Sequence, residues 1–418
     1  MELSRTERHK QRREQQQQRK RKAVWIYVVF GIIVISAALF AWQGKLFDLG
    51  GTEAKDGITA PAGDKSAVGD QEQNGEGAND SKGTKDATDA NDGTTVPENK
   101  KEATVRLTFV GDMMMSGRVE DVVKEKGYDF PYYYAKSLLQ DADLAIGNLE
   151  TPLTIGGKPA DNKLFVYKSS PKMAQVMADA GIDIVNLANN HSMDQGEEGL
   201  LDTFQALKAA NVSYIGAGKN SKEAYTPLIV ERNGIKLAFL GLSRVIPDDS
   251  WYAWKNKPGV ATTYEGTKER AAEAIKAAKK EADIVVVIAH WGEERTDEPN
   301  AKQKELAKLF VDSGADLIVG GHPHVVQGFE QQQDSWIAYS MGNFIFTQAE
   351  NPKTWETMAL QAECKKDGKC ELKMTPYFTD VGQAIPLEGE RGQKVMKRLQ
   401  EISSGIHIDQ NGNIRKKQ

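Results

Sequence analysis

Histidine is scarce in this chain, with six among 418 residues, and cysteine is scarcer, with two. Two cysteines exclude a thiolate-rich zinc module and a multi-disulfide scaffold. Net positive charge is missing from most of the length. Residues 1–22 hold nine Lys/Arg against three Glu, and the remaining 396 residues carry 45 basic against 56 acidic side chains, a net of −11. That balance excludes a body built to bind nucleic acid, because phosphate contacts need clustered positive charge. Aliphatic residues are sparse in 43–103, a stretch of Gly, Asp, Lys, Thr and Ala. Such a segment buries too little apolar surface to offset its ordering entropy and reads as a disordered tether.

One long apolar run is present. Residues 23–42, "AVWIYVVFGIIVISAALFAW", contain no charge, and twenty such residues suffice for a helix to cross a bilayer. Trp25, Tyr27 and Trp42 lie near its ends, where amphipathic rings favour the interface. The basic tail 1–22 precedes the run, so the N-terminus is expected in the cytoplasm and the rest outside, with one membrane pass. A cleaved signal peptide is the competing reading; no small-x-small cleavage site follows the run.

The two cysteines stand in "ECKKDGKCEL", a hairpin pattern with Asp367-Gly368 at the turn. Cys364 and Cys370 would then oppose one another, as a structural disulfide or as two free thiols.

From Thr104 onward, short Val/Ile/Leu-rich runs alternate with amphipathic stretches. Strand patterns cover "VRLTFVGD", "ADLAIGNLE", "IDIVNLANNH", "KLAFLGLSR", "DIVVVIAHWG", "DLIVGGHPH" and "WIAYSMGNFIF". Helical periodicity covers 171–180, 197–210, 267–281 and 301–313. Asn233-Gly234 marks a further hairpin. This alternation predicts an α/β body over 104–385, with strands covered on both faces, followed by a C-terminal helix and tail over 386–418.

The scarce histidines are not scattered. His191, His290, His322 and His324 all fall where a strand ends, while His9 and His407 lie near the termini. Asp112, Asn148, Glu150, Asn189, Asn190 and Asn343 occupy similar strand-end positions. Open α/β sheets bind ligands at the carboxyl ends of their strands. Imidazole, carboxylate and amide oxygen together suit Zn, Mn or Fe better than Ca. The donors suffice for one or two divalent ions. His322 and His324 are the most specific pair, because residues i and i+2 of an extended chain face the same side. Each piece also has a plainer reading: a strand-end His is often only hydrogen-bonded, and Asn189-Asn190-His191 is also an N-cap cluster before a helix.

The ordered set "VGDMMMSGR", "GNLETPLT", "NLANNHSMDQG", "IAHWGEE", "GGHPHVVQ", "SMGNFIF" resembles the CapA family of capsule and poly-γ-glutamate biosynthesis proteins over roughly residues 104–350. The resemblance implies a calcineurin-like metallophosphoesterase fold, an α/β sandwich. It implies metal ligands at Asp112, Glu150, Asn190, His290, His322 and His324, and a catalytic role for His191. Two motifs depart from the wider superfamily. Its D-x-H is replaced by Asp112-Met113-Met114, and its second G-D by Gly147-Asn148-Leu149-Glu150, where Glu150 would bridge. Asn148, Asn343, Glu293, Arg118 and Arg244 are the expected substrate-facing residues, with Glu294 and Arg295 beside them in the cleft.

Two functions follow as expectations. One is a membrane-anchored, metal-dependent hydrolase or transferase acting on an anionic cell-surface polymer. The other is a non-catalytic polymer-binding or scaffold subunit of a synthesis and export complex. Either would work with membrane proteins of that complex. A body of net −11 repels an anionic polymer at long range, so binding needs bound cations or local lysines such as those of "GGKPADNKLFVYK" and "KNKPGV".

Overall fold

The computed structural model describes residues 102–417, apart from 162 and 348. The basic tail, the apolar run 23–42 and nearly all of the expected tether lie outside the described residues. Among the described residues, no helix is long and apolar enough to cross a membrane.

Two large sheets carry the body. The first is built outward from β1 (Thr104–Met113), beside which β2 (Leu144–Leu149), β3 (Ile184–Asn186) and β4 (Ser213–Ile215) add in parallel. On the other flank, β14 (Glu356–Lys365) pairs antiparallel with Thr104–Val110, and β13 (Asn343–Ile345) takes over in parallel at Asp112. The sheet continues through β15 (Cys370–Asp380) with β16 (Gln383–Pro386), and through a terminal hairpin of β17 (Ile406–Ile408) and β18 (Asn413–Lys416). Residues 386–418 thus hold the helix Gly389–Glu401 and then two strands that extend this sheet.

The second sheet has four parallel strands, β7 (Ile235–Ser243), β9 (Ile284–His290), β10 (Leu317–Gly321) and β12 (Ser335–Met341). Antiparallel edges close it: β6 (Leu228–Arg232) beside β7, and β11 (Val326–Gln332) beside β12. The β6–β7 turn is Asn233-Gly234, with φ of 53° and 75°. A small separate ribbon pairs β5 (Ala217–Gly218) with β8 (Gly259–Val260).

The period-two alternation of the strands explains the layering. Val105, Leu107 and Phe109 of β1 pack in one apolar cluster with Ile284, Val286 and Ile288 of β9 and with Leu317 and Val319 of β10. The two sheets therefore meet face to face. The residues between these point outward. Ala145 and Val185 pack with Met173, Met177, Leu200 and Phe204 of the helices Met173–Ala180 and Gly196–Ala209. Val285, Val287 and Ile318 pack with Ile275, Leu306 and Phe310 of the helices Lys268–Glu281 and Ala301–Asp312. The result is a four-layered α/β sandwich. Each fully buried Val, Leu or Ile contributes about 1.5–3 kcal/mol relative to exposure, in the central layer and in the two outer ones alike.

At the carboxyl ends of the parallel strands, the inward phase turns polar. Continuing β2, β3 and β9 by two residues from Ile146, Ile184 and Ile288 gives Asn148, Asn186 and His290. In β1 a register irregularity between Phe109 and Asp112 corrects the parity and puts Asp112 opposite Asn148. At the opposite end of the first sheet, Cys364 and Cys370 are directly paired across β14 and β15 and joined by a disulfide.

Candidate metal centre

Asp112 and Glu150 form the floor of the site, and both are fully buried. Asn148 donates from Nδ2 to Asp112 Oδ1 at 2.8 Å. Asn148 Oδ1 in turn accepts from the amides of Asn186 (2.9 Å) and Asn189 (3.1 Å). Burial, together with the charge of Glu150, raises the Asp112 carboxyl to about 6. Burial likewise raises Glu150, against the pull of His324 and His191.

The second sheet supplies the histidines. His290 Nε2 lies 2.7 Å from Asn190 Oδ1 and 3.4 Å from Glu150 Oε1. Burial lowers His290 to about 4, so the imidazole is neutral and able to act as a ligand. After β10 the chain turns sharply, with φ of 95° at His322 and 58° at His324. Left-handed backbone at non-glycine residues is held only where the surroundings enforce it. Here the His322 amide donates to Asp112 Oδ2 at 3.1 Å, and the Arg295 amide donates to Pro323 O at 2.7 Å. His324 Nδ1 meets Asn343 Oδ1 at 2.8 Å, which leaves Nε2 for another partner. Burial disfavours charge on His324, but the Glu150 and Asp112 carboxylates outweigh it and raise its pKa. Burial pushes His322 well below the ordinary imidazole value, and the neighbouring His290 and His324 add to that.

Beside these groups stands a second constellation. His191 Nδ1 is 2.7 Å from Asp194 Oδ2, and its ring lies 4.9 Å from that of Tyr167. Lys163 Nζ bonds Asp194 Oδ1 at 2.5 Å, approaches His191 Nδ1 at 2.9 Å and donates to Asn190 O. Asp194 is fully buried. The ammonium also sits 5.1 Å from the Trp251 ring. Burial lowers the Lys163 pKa, while Asp194 opposes the shift.

The donor set fits a divalent cation. Both oxygens of Glu150 and the Nδ1 of His322 are buried without a hydrogen-bond partner, and leaving such atoms unpaired costs about 1–3 kcal/mol each, more for charged groups. Three groups hold ligand atoms within 4.8 Å of one another: Glu150, His290 and His322; Asp112, Glu150 and His324; and Glu294, His322 and His324. Glu150 belongs to the first two sets, so its two oxygens can serve two positions. Nitrogen and oxygen ligands of zinc lie at about 2.0–2.2 Å, so such groups need shift only slightly to share an ion.

The expected residues divide in three. Asp112, Glu150, Asn190, His290, His322 and His324 come together, with His191 alongside. Asn148 and Asn343 also lie in the site, where both amide ends are engaged inside the protein; Asn343 donates to Thr354 O at 3.2 Å. Their geometry positions Asp112 and His324 rather than presenting an amide outward. Arg118 is exposed at the start of the helix Arg118–Lys126. Arg244 stacks its guanidinium on Tyr264, 4.1 Å from the ring centre. Glu293 is exposed and belongs to none of the three sets; its neighbour Glu294 does. Met113 and Met114 are buried, and their sulfurs accept from Tyr132 Oη (3.1 Å) and Thr151 Oγ1 (2.8 Å). Asn186 and Asp194 were not singled out by the sequence, and Lys163 stood there only among the lysines of "GGKPADNKLFVYK". "NHSMD" does place a carboxylate three residues after His191, a spacing that brings two side chains together in one helical turn.

Residues 106–348 match the family model described as bacterial capsule synthesis protein PGA_cap. The chain belongs to that family. As a PGA_cap protein, it is 36% identical over 282 residues to the PGA biosynthesis protein CapA of Bacillus subtilis strain 168, covering 67% of this chain and 72% of that one. It is 34% identical over 295 residues to the capsule biosynthesis protein CapA of Bacillus anthracis, covering 69% and 70%. A probable polyglutamine synthesis accessory protein of Mycobacterium tuberculosis is 28% identical over 226 residues, covering 52% and 59%. The matched family region spans Asp112 to Asn343 and so includes every residue of the candidate centre.

Proposed function

We propose that this PGA_cap protein is a membrane-anchored, extracytoplasmic component of capsule or poly-γ-glutamate biosynthesis. Its strand-end cluster binds one or two divalent cations, Mn, Fe or Zn, and acts in hydrolysis or group transfer on an anionic surface polymer. The carrying observation is the buried Glu150 carboxylate, which has no hydrogen bond yet lies among His290, His322, His324 and Asp112. Glu150, His290 and His322, with Asn190, would hold one position; Asp112, Glu150 and His324 would contribute to the other. This arrangement resembles the calcineurin-like metallophosphoesterases. A bound cation supplies Lewis acidity toward an acyl or phosphoryl oxygen.

The chain's own residues divide the remaining work. Asp194 holds the His191 ring by Nδ1, which directs Nε2 to act as a proton donor or acceptor. Lys163 balances the Asp194 charge. Asn148 and Asn343 fix the donors that they touch. The apolar run 23–42 and the segment after it support an anchored domain held off the membrane.

One observation favours the non-catalytic reading, a polymer-binding or scaffold subunit. Met114 stands where the superfamily places a histidine ligand, and its sulfur is engaged by Thr151. Metal analysis of the full chain, purified in detergent without chelator, tests the site. One to two equivalents, lost in a His322→Ala/His324→Ala variant, are expected. No metal after incubation with Mn and Zn would refute the cation site and leave the scaffold reading in front.

A further inference from the structure

One candidate cation position is held by three side chains. Asp112, Glu150 and His324 face it, and the residue that would complete it from β1 is a buried methionine. A thioether is a poor ligand for a hard divalent ion. At the exposed side of the site one further carboxylate, Glu294, stands in reach of the histidine turn.

Building on the cation-site reading, we propose that Glu294 is a metal ligand, joining His322 and His324 from the solvent side. Its carboxylate lies within 4.8 Å of the ligand atoms of both His322 and His324. His322 is 4% exposed, and its Nδ1 has no hydrogen-bond partner. The segment carrying Glu294 is fastened to the histidine turn on both sides. Before it, the Trp291 amide donates to Gly321 O at 3.1 Å; after it, the Arg295 amide donates to Pro323 O at 2.7 Å. Trp291 is itself buried and bonded through Nε1 to Tyr339 O at 2.9 Å. Positive φ at Gly292 (93°) and Arg295 (63°) turns the segment back across the strand end. Glu294 is also among the charges that bear on Glu150, His290 and His324. Glu293, one residue earlier, joins none of the three sets and is an internal control.

The assignment adds a carboxylate to the histidine turn at the end of the second sheet. A carboxylate beside two imidazoles is a mixed oxygen and nitrogen set, which suits Mn, Fe or Zn.

The test titrates Mn, and separately Zn, into the chelator-stripped full chain in detergent. Stoichiometry is read by calorimetry, and free Mn by its paramagnetic resonance signal. Wild type, Glu294→Gln and Glu293→Gln are compared, with thermal unfolding to confirm that each is folded. The expected result is that Glu294→Gln loses one equivalent, or binds it about tenfold or more weakly, while Glu293→Gln matches wild type. Glu294→Gln binding as wild type overturns the assignment and leaves the cation site standing. Equal weakening in both variants also overturns it, since the effect is then one of net charge alone. A wild-type chain that binds neither Mn nor Zn in the same titration overturns the cation-site reading and this assignment with it.

Discussion

Gly321 lies directly against the Asp112 carboxylate: a Cβ built on this glycine would stand 2.6 Å from Asp112 Oδ1. The contact joins the end of β10 to the end of β1, one strand from each sheet. It also explains the second glycine of "GGHPH". The carboxylate can accept the His322 amide only because nothing projects from the preceding residue. Gly321→Ala should therefore displace Asp112 and the histidine turn together. Overpacking of this kind costs about 1–3 kcal/mol. The expected outcome is a lowered denaturation midpoint and loss of bound metal, read by unfolding and elemental analysis. Full metal content in Gly321→Ala would show that Asp112 does not need this placement.

The pH dependence follows from Asp112 and His290, whose shifts have opposite signs. Asp112 is raised from 3.8 to about 6, so its contribution to stability is complete below 3.8 and is lost as pH rises through 6. His290 is lowered from 6.5 to about 4, so its contribution is present above 6.5 and is lost as pH falls through 4. Between pH 4 and 6 these two effects oppose each other, and their joint effect on the ion-free protein should be small. Cation binding has no such cancellation. It needs Asp112 ionised, so affinity should fall about tenfold per pH unit below 6. Titrations at pH 5, 6 and 7 measure this, and a flat affinity would remove Asp112 from the ligand set.

Asp194 and Lys163 form a buried pair, with side-chain exposures of 0% and 11%. Removing the acid strands the ammonium, whereas removing the ammonium leaves Asp194 bonded to His191 and to the Tyr167 amide. Asp194→Asn should therefore destabilise more than Lys163→Met. Breaking a buried pair from one side costs about 3–5 kcal/mol. Chemical denaturation of both variants checks the ranking, and the reverse order would mean that Lys163 is solvated in place.

The disulfide closes a short loop, with six residues of sequence separation. In the chain-entropy view, a loop this short contributes about 2 kcal/mol. A Cys364→Ala/Cys370→Ala variant should lose about that much stability and keep its metal. Metal loss in this variant would show coupling between the β14–β15 turn and the site.

Much of the fold was legible because it rests on local signals. The four helical patterns match helices to within a residue or two, since 3.6-residue periodicity is carried by consecutive residues. Asn233-Gly234 and Asp367-Gly368 named their turns for the same reason. "IDIVNLANNH" gave less: only Ile184–Asn186 is strand, because the polar residues after it bond to side chains and to neighbouring loops. Division into two sheets was not legible, because pairing of β1 with β14 joins residues about 250 positions apart. The strand-end histidines were readable as a set. Lys163 was legible only as one of several loop lysines, and its burial was not, because the loop reads as solvated and its partner Asp194 looks like a helix-start residue. Asn148 and Asn343 were read as facing outward because sequence shows an amide but not its neighbours.

The candidate ligands come from both halves of the sandwich: Asp112 and Glu150 from the first sheet, His290, His322 and His324 from the second. Elsewhere the two faces meet mainly through apolar contact, with isolated hydrogen bonds such as Trp336 Nε1 to Cys370 O, and apolar contact resists separation but has little directional stiffness. An ion gripped from both sides would act as a clasp at one end of this interface. Taking it away would leave the hydrophobic seam intact but free to hinge. Chelation should therefore raise amide hydrogen exchange first at the ends of β1, β9 and β10, before the far ends of the same strands respond.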